Sequence, residues 1–249
     1  MKNGYGFARA ACGVGCALGI ALAFISCGPN TNQIRRMQAL ETGVSSPTTI
    51  EELESGIKKY QERIEDVLNS DIRVGIWYKI LATRYLDNKM YAKALENFRI
   101  ATQYYPDNQN LYYYVGLCAG FMSKSALDYE LTGTDRARQA YLDLSESAYK
   151  RAIELEPRYF RALYGLGVLY VFERDEPEKA IPLLETAIDV EKRNTDAMFI
   201  LARAYYSSGR YENAVALYDR IISLTNSEDR KKEAETNKAF VLENSYGKP

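Results

Sequence analysis

The sequence predicts an all-α fold built as a stack of helical hairpins. Two observations lead to this prediction: apolar residues recur at helical spacing along most of the chain, and the pattern repeats after about 34 residues. Residues 75–108 show one unit, with Tyr78 and Ala82 on one face of a first helix and Ala94 and Phe98 on one face of a second. Two short amphipathic helices cannot bury their apolar faces alone, so the unit requires neighbours of the same kind.

Residues 75–226 contain four copies of this unit. Small residues that allow helix axes to approach recur on the first helices at Ala82, Gly116, Gly167 and Ala202, and on the second helices at Ala94, Ser145, Ala180 and Ala214. Large apolar residues lie four positions after the second set, at Phe98, Tyr149, Leu184 and Tyr218. Successive residues of the second set are 51, 35 and 34 positions apart, so the second copy is 17 residues longer than the period. Proline follows the second helix of the first two copies, at Pro106 and Pro157.

The 17 additional residues lie between the two helices of the second copy, near residues 121–140. Apolar spacing extends the helix before them, and Thr134 is suited to cap a helix that runs on to Leu155. The sequence therefore predicts an extended hairpin with its tip at Thr132-Gly133. Two roles stay open for this extension, a packing element or a docking arm, because long connections often have a function.

Four units in register resemble the tetratricopeptide repeat family. The shared features are the small residues given above, a proline after the second helix, and a tyrosine near the end of the first helix, at Tyr85, Tyr170 and Tyr205. The resemblance covers residues 75–226. It implies a right-handed superhelical solenoid of tetratricopeptide-type helical hairpins, in which the first helices line a concave groove.

Residues 1–26 are a predicted signal peptide. Lys2 and Arg9 give it a basic beginning, and the 17 residues from 10 to 26 have no charge. That run is shorter than the roughly 20 apolar residues that a membrane-spanning helix requires.

The end of this segment resembles the lipoprotein signal of a diderm bacterium, because the small residue Ser26 directly precedes Cys27. The resemblance implies that Cys27 is lipidated and becomes the mature N-terminus, which would tether the protein to a membrane. Plain secretion and an uncleaved membrane anchor are the alternatives.

The segments on either side of the repeats are also predicted to be helical. Residues 27–74 form an N-terminal helical pair, interpreted as a degenerate leading repeat, and Thr49 with Glu52 gives a capping-box pattern where its long helix begins. Residues 227–249 form a polar C-terminal capping helix followed by a short tail.

Composition argues against several classes of chemistry. The chain has no histidine, which excludes imidazole-based catalysis and metal ligation. Its formal net charge of −1 does not suggest nucleic-acid binding. Cys118, on a predicted helix between Leu117 and Ala119, is interpreted as a core residue rather than a nucleophile. Because no phosphate-binding loop or gathered carboxylate set is present either, we expect no enzyme activity, no catalytic residue, no metal site and no cofactor.

The resemblance also places particular side chains in the groove. Corresponding positions of the first helices hold Lys79, Tyr113, Tyr164 and Phe199, a neighbouring row holds Phe121, Phe172 and Tyr206, and Arg161 and Arg203 flank these rows. These nine residues are the predicted partner-binding site. A groove lined by aromatic rings suits an extended peptide or a helix. Some of the rings could instead pack between helices, since the repeat spacing fixes the face of a helix and not the rotamer.

Two functions follow as expectations. The first is a non-enzymatic, lipid-anchored scaffold, exported to the cell envelope and facing the periplasm or the surface, that binds a protein or peptide partner. The second is an accessory lipoprotein of a solute transporter or of an envelope-assembly machine, for which a closed pore would be more suitable than an open groove.

Overall fold

The computed structural model of the chain describes residues 49–125 and 134–246. Within these ranges it contains nine α-helices and no β-strand, which confirms the all-α prediction. The predicted signal peptide, Cys27 and the hairpin tip at Thr132-Gly133 lie outside the described residues. The chain divides into two compact units, residues 1–61 and residues 62–249.

Within the described residues, a first helix of 38 residues is followed at short intervals by eight shorter helices. The nine helices are α1 (Ile50–Asp87), α2 (Tyr91–Tyr104), α3 (Gln109–Ser125), α4 (Thr134–Leu155), α5 (Phe160–Phe172), α6 (Pro177–Val190), α7 (Thr195–Ser207), α8 (Tyr211–Leu224) and α9 (Glu228–Tyr246). Consecutive helices from α2 to α9 pack against one another, and α5 also contacts α3 and α7. The paired helices therefore form a helical solenoid in which α3, α5 and α7 are the first helices of successive repeats.

Helix α1 begins at a capping box. The hydroxyl of Thr49 accepts a hydrogen bond from the N–H of Glu52 (3.2 Å), and the carboxylate of Glu52 accepts one from the N–H of Thr49 (3.2 Å). The helix continues to Asp87, so the boundary predicted at residue 74 lies inside it. Gly75 does not end the helix; it provides room for a neighbour, because a Cβ added there would lie 2.6 Å from the Cβ of Tyr104.

Large side chains of the second helices pack directly onto glycines of the first helices. The ring of Tyr149 in α4 contacts both Gly116 of α3 and Gly165 of α5, and a Cβ added to either glycine would lie 2.8 Å from ring atoms. Leu184 of α6 packs in the same way against Gly167, at 2.6 Å. Tyr149 and Leu184 are buried. The small and large residues that recur in the sequence are therefore direct packing partners.

The turn between the two helices of a repeat has the same backbone geometry in three repeats. Lys89, Asp175 and Gly209 have φ values of 57°, 53° and 73°, in the left-handed region. In each turn the next residue donates its N–H to a tyrosine carbonyl at 2.8 or 2.9 Å, and these tyrosines are Tyr85, Tyr170 and Tyr205. The recurring tyrosine thus marks the point where each first helix ends.

Helix α4 has 22 residues, whereas α2, α6 and α8 each have 14. Its additional turns are at its N-terminal end, next to the end of α5. Glu173 there forms ion pairs with Arg138 of α4 (2.9 Å) and with Lys124 of α3 (3.8 Å). The described part of the extension therefore packs against the following repeat.

The Gly116→Ala substitution tests the packing of Tyr149. The added Cβ would press on a ring that Gly165 prevents from moving away, so we expect the free energy of unfolding to fall by about 1–3 kcal/mol. Gly120→Ala in the same helix is the matched control, because the atom nearest to its Cβ would be the Ser145 hydroxyl oxygen at 3.6 Å. Alanine is a better helix former than glycine, so Gly120→Ala should raise the free energy of unfolding by up to ~1 kcal/mol. Urea unfolding followed by circular dichroism measures both variants, and equal effects would contradict the packing described.

A second prediction concerns Tyr205 of α7, which is buried and donates its hydroxyl hydrogen to the carboxylate of Glu185. Burial, and then the hydrogen bond to Glu185, raises the pKa of Tyr205 to about 12. The unfolded chain has a tyrosine pKa of about 10. Because the folded value is the higher one, the stabilisation from neutral Tyr205 is complete below pH 10 and is lost as the pH rises from 10 towards 12.

We therefore expect Tyr205→Phe to be less stable than the wild type by ~1 kcal/mol at pH 8, because one hydrogen bond is lost. The difference should shrink between pH 10 and pH 12. Urea midpoints measured across this range test the expectation. A difference that stays constant or grows would show that Tyr205 ionises at least as readily in the folded state as in the unfolded state.

Candidate functional site

A cavity of about 470 Å³ opens on the face formed by the first helices and α9. Its lining residues come from α5, α7, α8 and α9 and are Phe172, Phe199, Ile200, Arg203, Tyr206, Ser207, Tyr218, Glu233, Asn237, Phe240 and Val241. We call it the aromatic cavity. Four of the nine residues predicted for partner binding line it: Phe172, Phe199, Arg203 and Tyr206. Phe199, Arg203 and Tyr206 meet there because spacings of four and three place them on one face of α7.

The rings of the aromatic cavity contact one another and a cation. The guanidinium of Arg203 lies 4.9 Å from the ring centroid of Phe172, and the ring centroids of Tyr206 and Phe240 are 5.6 Å apart. Phe172 is 46 % exposed and Phe240 is 54 % exposed, so the cavity presents apolar surface to solvent. Glu233 adds a carboxylate to the lining, so the rings share the cavity with polar side chains and one charge of each sign. Such a surface can receive an apolar side chain.

Phe240 is the functional candidate that the sequence analysis did not select. It lies on α9, whose polar sequence predicts a capping helix, and α9 has Ala234 and Val241 as its buried anchors. The available signal was an aromatic residue directly before the anchor Val241, on a helix with few other apolar residues.

Tyr113 and Arg161 lie together in a second cluster, which also contains Asn110, Tyr114 and Tyr159 and which we call the Arg161 cluster. The guanidinium of Arg161 is 6.0 Å from the ring centroid of Tyr113, and the rings of Tyr113 and Tyr159 meet edge to face at 6.0 Å. The hydroxyl of Tyr159 donates to the side-chain oxygen of Asn110 (2.7 Å). Burial raises the pKa of Tyr113 and raises the pKa of Tyr159 to about 12, so both hydroxyls are neutral at physiological pH.

Tyr164 lies apart from both groups of residues. Its ring stacks on Phe160 with centroids 5.8 Å apart. Burial, and then the charge of Asp196, raises the pKa of Tyr164, while Asp196 is itself paired with Arg230 of α9. Tyr164 is partly buried, so part of its ring remains accessible to a ligand.

The two remaining predicted residues are not brought into either group. Phe121 stacks on Tyr91, with ring centroids 4.4 Å apart, at the start of α2. Lys79 is exposed on α1, and within the described residues its side chain forms no ion pair. The repeat spacing places these residues at equivalent sequence positions, but their side chains have different neighbours.

The described residues offer little that could serve a reaction. Cys118 is fully buried, and desolvation raises the pKa of its thiol to about 12, so it is a poor nucleophile. In the same ranges no group of three or more acidic or thiol side chains is arranged to hold a metal ion. Among the helices from residue 50 to 125 and from 134 to 246, none combines the length and the hydrophobicity needed to cross a membrane.

Comparisons with known proteins agree with this architecture. A family model described as tetratricopeptide repeat matches residues 169–229, from the end of α5 to the beginning of α9. The chain is similar to a TPR repeat-containing protein of Borreliella burgdorferi, with 22 % identity over 213 residues that cover 84 % of this chain and 90 % of the relative.

Two solved structures have a similar fold. A thermophilic TPR protein of Thermus thermophilus superposes with a TM-score of 0.52 at 22 % identity, covering 76 % of this chain and 96 % of that one. YrrB, a TPR protein with an unusual peptide-binding site, superposes with a TM-score of 0.55 at 15 % identity, covering 75 % of this chain and 84 % of that one. Residues 169–229 therefore match the tetratricopeptide repeat, and the described helices have the fold of tetratricopeptide repeat proteins.

Proposed function

We propose that this protein is a membrane-tethered scaffold of the cell envelope that binds an extended segment of a protein partner on the face formed by its first helices. Tetratricopeptide repeat proteins generally act as non-catalytic scaffolds for protein–protein interaction. The observation that supports this function for the present chain is the aromatic cavity, whose rings Phe172 and Phe240 stay about half exposed although the neighbouring core is fully buried.

The chemistry of the aromatic cavity favours a peptide segment over a compact folded surface. Its volume of about 470 Å³ suits one or two apolar side chains, and its edge has one cation and one carboxylate to orient a backbone. Aromatic side chains lose little conformational entropy when they bind, and each ring pair adds roughly 0.5–1.5 kcal/mol beyond the buried area. The similarity to YrrB, a TPR protein with an unusual peptide-binding site, supports the same class of ligand.

The tether is proposed from the sequence. Ser26-Cys27 follows an uncharged run that suits an exported lipoprotein of a diderm bacterium. Each buried methylene of a lipid chain contributes ~0.8 kcal/mol to membrane binding, so two or three chains on Cys27 would hold the protein firmly. The repeats would then reach partners from a membrane surface.

Replacing Phe172 and Phe240 together by serine tests the binding face. Both rings are substantially exposed, so we expect the fold to be retained and cross-linking to envelope partners in intact cells to fall at least tenfold. A photoreactive phenylalanine analogue at position 172 should give a cross-linked product of defined mass, and the Phe240→Ser substitution should remove that product.

Trp77→Ser is the matched control, because Trp77 is also an exposed aromatic residue (64 %) but lies on α1 outside the aromatic cavity. Its cross-linking pattern should equal that of the wild type. Cross-linking that survives in the double variant, or that is lost equally in Trp77→Ser, would contradict binding at the aromatic cavity.

The Cys27→Ser substitution tests the tether. In cells of a diderm bacterium fed an alkyne analogue of palmitate, we expect the wild type to become labelled and to sediment with membranes, and Cys27→Ser to lose the label. Cys118→Ser is the control and should keep the label, because the Cys118 thiol is buried in α3. Membrane attachment of an unlabelled wild type would indicate an uncleaved anchor, and release of an unlabelled wild type would indicate plain secretion.

A further inference from the structure

The arginines of the repeat array fall into two groups by their partners. Six arginines reach a carboxylate of a neighbouring repeat, and the pairs are Arg138–Glu173, Arg151–Asp107, Arg158–Asp189, Arg174–Asp143, Arg210–Glu178 and Arg230–Asp196. Within the described residues Arg161 forms no such ion pair, although Arg158, only three positions earlier, does. The charge of Arg161 is therefore not neutralised by the array.

Arg161 is nevertheless held in place. Its guanidinium lies over the ring of Tyr113, at 6.0 Å from the centroid. Its pKa is raised first by Tyr159 and then by Tyr114, whose hydroxyls lie close to it. Because Tyr159 already donates its hydrogen to Asn110, its oxygen faces Arg161 only as an acceptor. Neutral hydroxyls can orient a guanidinium, which has five N–H donors, but they leave its charge and most of its donors available.

Arg161 and the aromatic cavity lie on one face of the same helix. Arg161 is the second residue of α5, and Phe172 is the last. Eleven positions are close to three helical turns, so both side chains leave α5 in nearly the same direction, with their Cα atoms ~16 Å apart along the axis. An extended peptide rises about 3.3 Å per residue and points every second side chain to the same face, so ligand residues that contact both places are four or six positions apart.

We infer that the Arg161 cluster receives an acidic side chain of the same peptide that places an apolar side chain in the aromatic cavity, with the two ligand residues four or six positions apart. This inference rests on the proposed function and specifies its ligand. A carboxylate side chain fits because it can accept two parallel hydrogen bonds from one guanidinium. A polyanion such as a nucleic acid fits poorly, because the chain has a formal net charge of −1.

Synthetic peptides provide the probe. The probes are fluorescent 13-residue peptides with amidated C-termini and a fixed central Phe. Each set has Asp either four or six positions before or after the Phe, and the remaining positions are randomised among uncharged residues. The matched set has Asn in place of Asp. Amidation removes the terminal carboxylate, so a preference for Asp reports on the side chain alone.

For the wild-type chain we expect one Asp set to bind about tenfold more tightly than its Asn counterpart in fluorescence anisotropy, as is typical of a charge-assisted hydrogen bond. Arg161→Gln should abolish this preference and keep the affinity of the Asn set. Arg161→Lys should restore only part of it, because an ammonium cannot form the bidentate pair. Arg158→Gln, which removes the exposed neighbour paired with Asp189, should behave as the wild type.

The possible outcomes distinguish a failure of the acidic contact at Arg161 from a failure of peptide binding at the aromatic cavity. Peptides that bind the wild type equally well with Asp and with Asn, and that lose affinity in the Phe172→Ser and Phe240→Ser variant, would overturn the acidic contact and leave the aromatic cavity as the binding site. No binding by any set would overturn both. Displacement of a bound Asp peptide by single-stranded oligonucleotides, dependent on Arg161, would show that the ligand is a nucleic acid.

Discussion

The contact of one aromatic ring with two glycines determines the spacing of the central repeats. Tyr149 lies against Gly116 and Gly165, which belong to successive first helices, so a single side chain fixes the distance between α3, α4 and α5. A methyl group at either glycine would occupy space that the ring already fills. Because protein interiors are packed as densely as organic crystals, the ring and the two helices must move together or not at all. The same constraint recurs one repeat later with Leu184 and Gly167.

Rigid spacing between the helices gives the aromatic cavity a defined shape. Phe172, Phe199 and Phe240 come from three different helices, and they form one cavity only because those helices are held at fixed distances. None of these rings belongs to the fully buried core. Packing and the proposed recognition therefore use different residues: core positions such as Leu184 fix the helices, and exposed rings such as Phe172 and Phe240 are the proposed contacts for a partner.

The sequence predicts the architecture well because packing in this fold is local and periodic. The pairing of Tyr149 with glycine, the position of Tyr205 at the end of a first helix, and the face of α7 all follow from spacing alone. The site is less predictable, because the same spacing does not fix what each side chain touches. Phe121 and Phe172 occupy equivalent positions, yet Phe121 stacks on Tyr91 of α2 whereas Phe172 stays about half exposed.

The length of α1 and the position of Phe240 in the cavity could not be predicted from the apolar spacing either. Helix α1 crosses residue 74 because Gly75, which can interrupt a helix, is here required for the close approach of Tyr104. The sequence pattern does not single out Phe240, because α9 has few apolar residues. The proposed role of Phe240 depends on the cavity that it lines. In both cases the tertiary contact, which spacing along the chain does not contain, decides the role of the residue.

The distribution of charge links the stability of the array to its selectivity. Ion pairs such as Arg158–Asp189 and Arg210–Glu178 join residues 31 and 32 positions apart, close to the repeat period, and so connect neighbouring repeats. Exposed pairs of this kind contribute roughly 0–1 kcal/mol each, but they neutralise charge that could otherwise attract ligands without specificity. An arginine that the array orients and does not neutralise, as with Arg161, can therefore discriminate between ligands, because an anion that contacts it competes with no internal carboxylate.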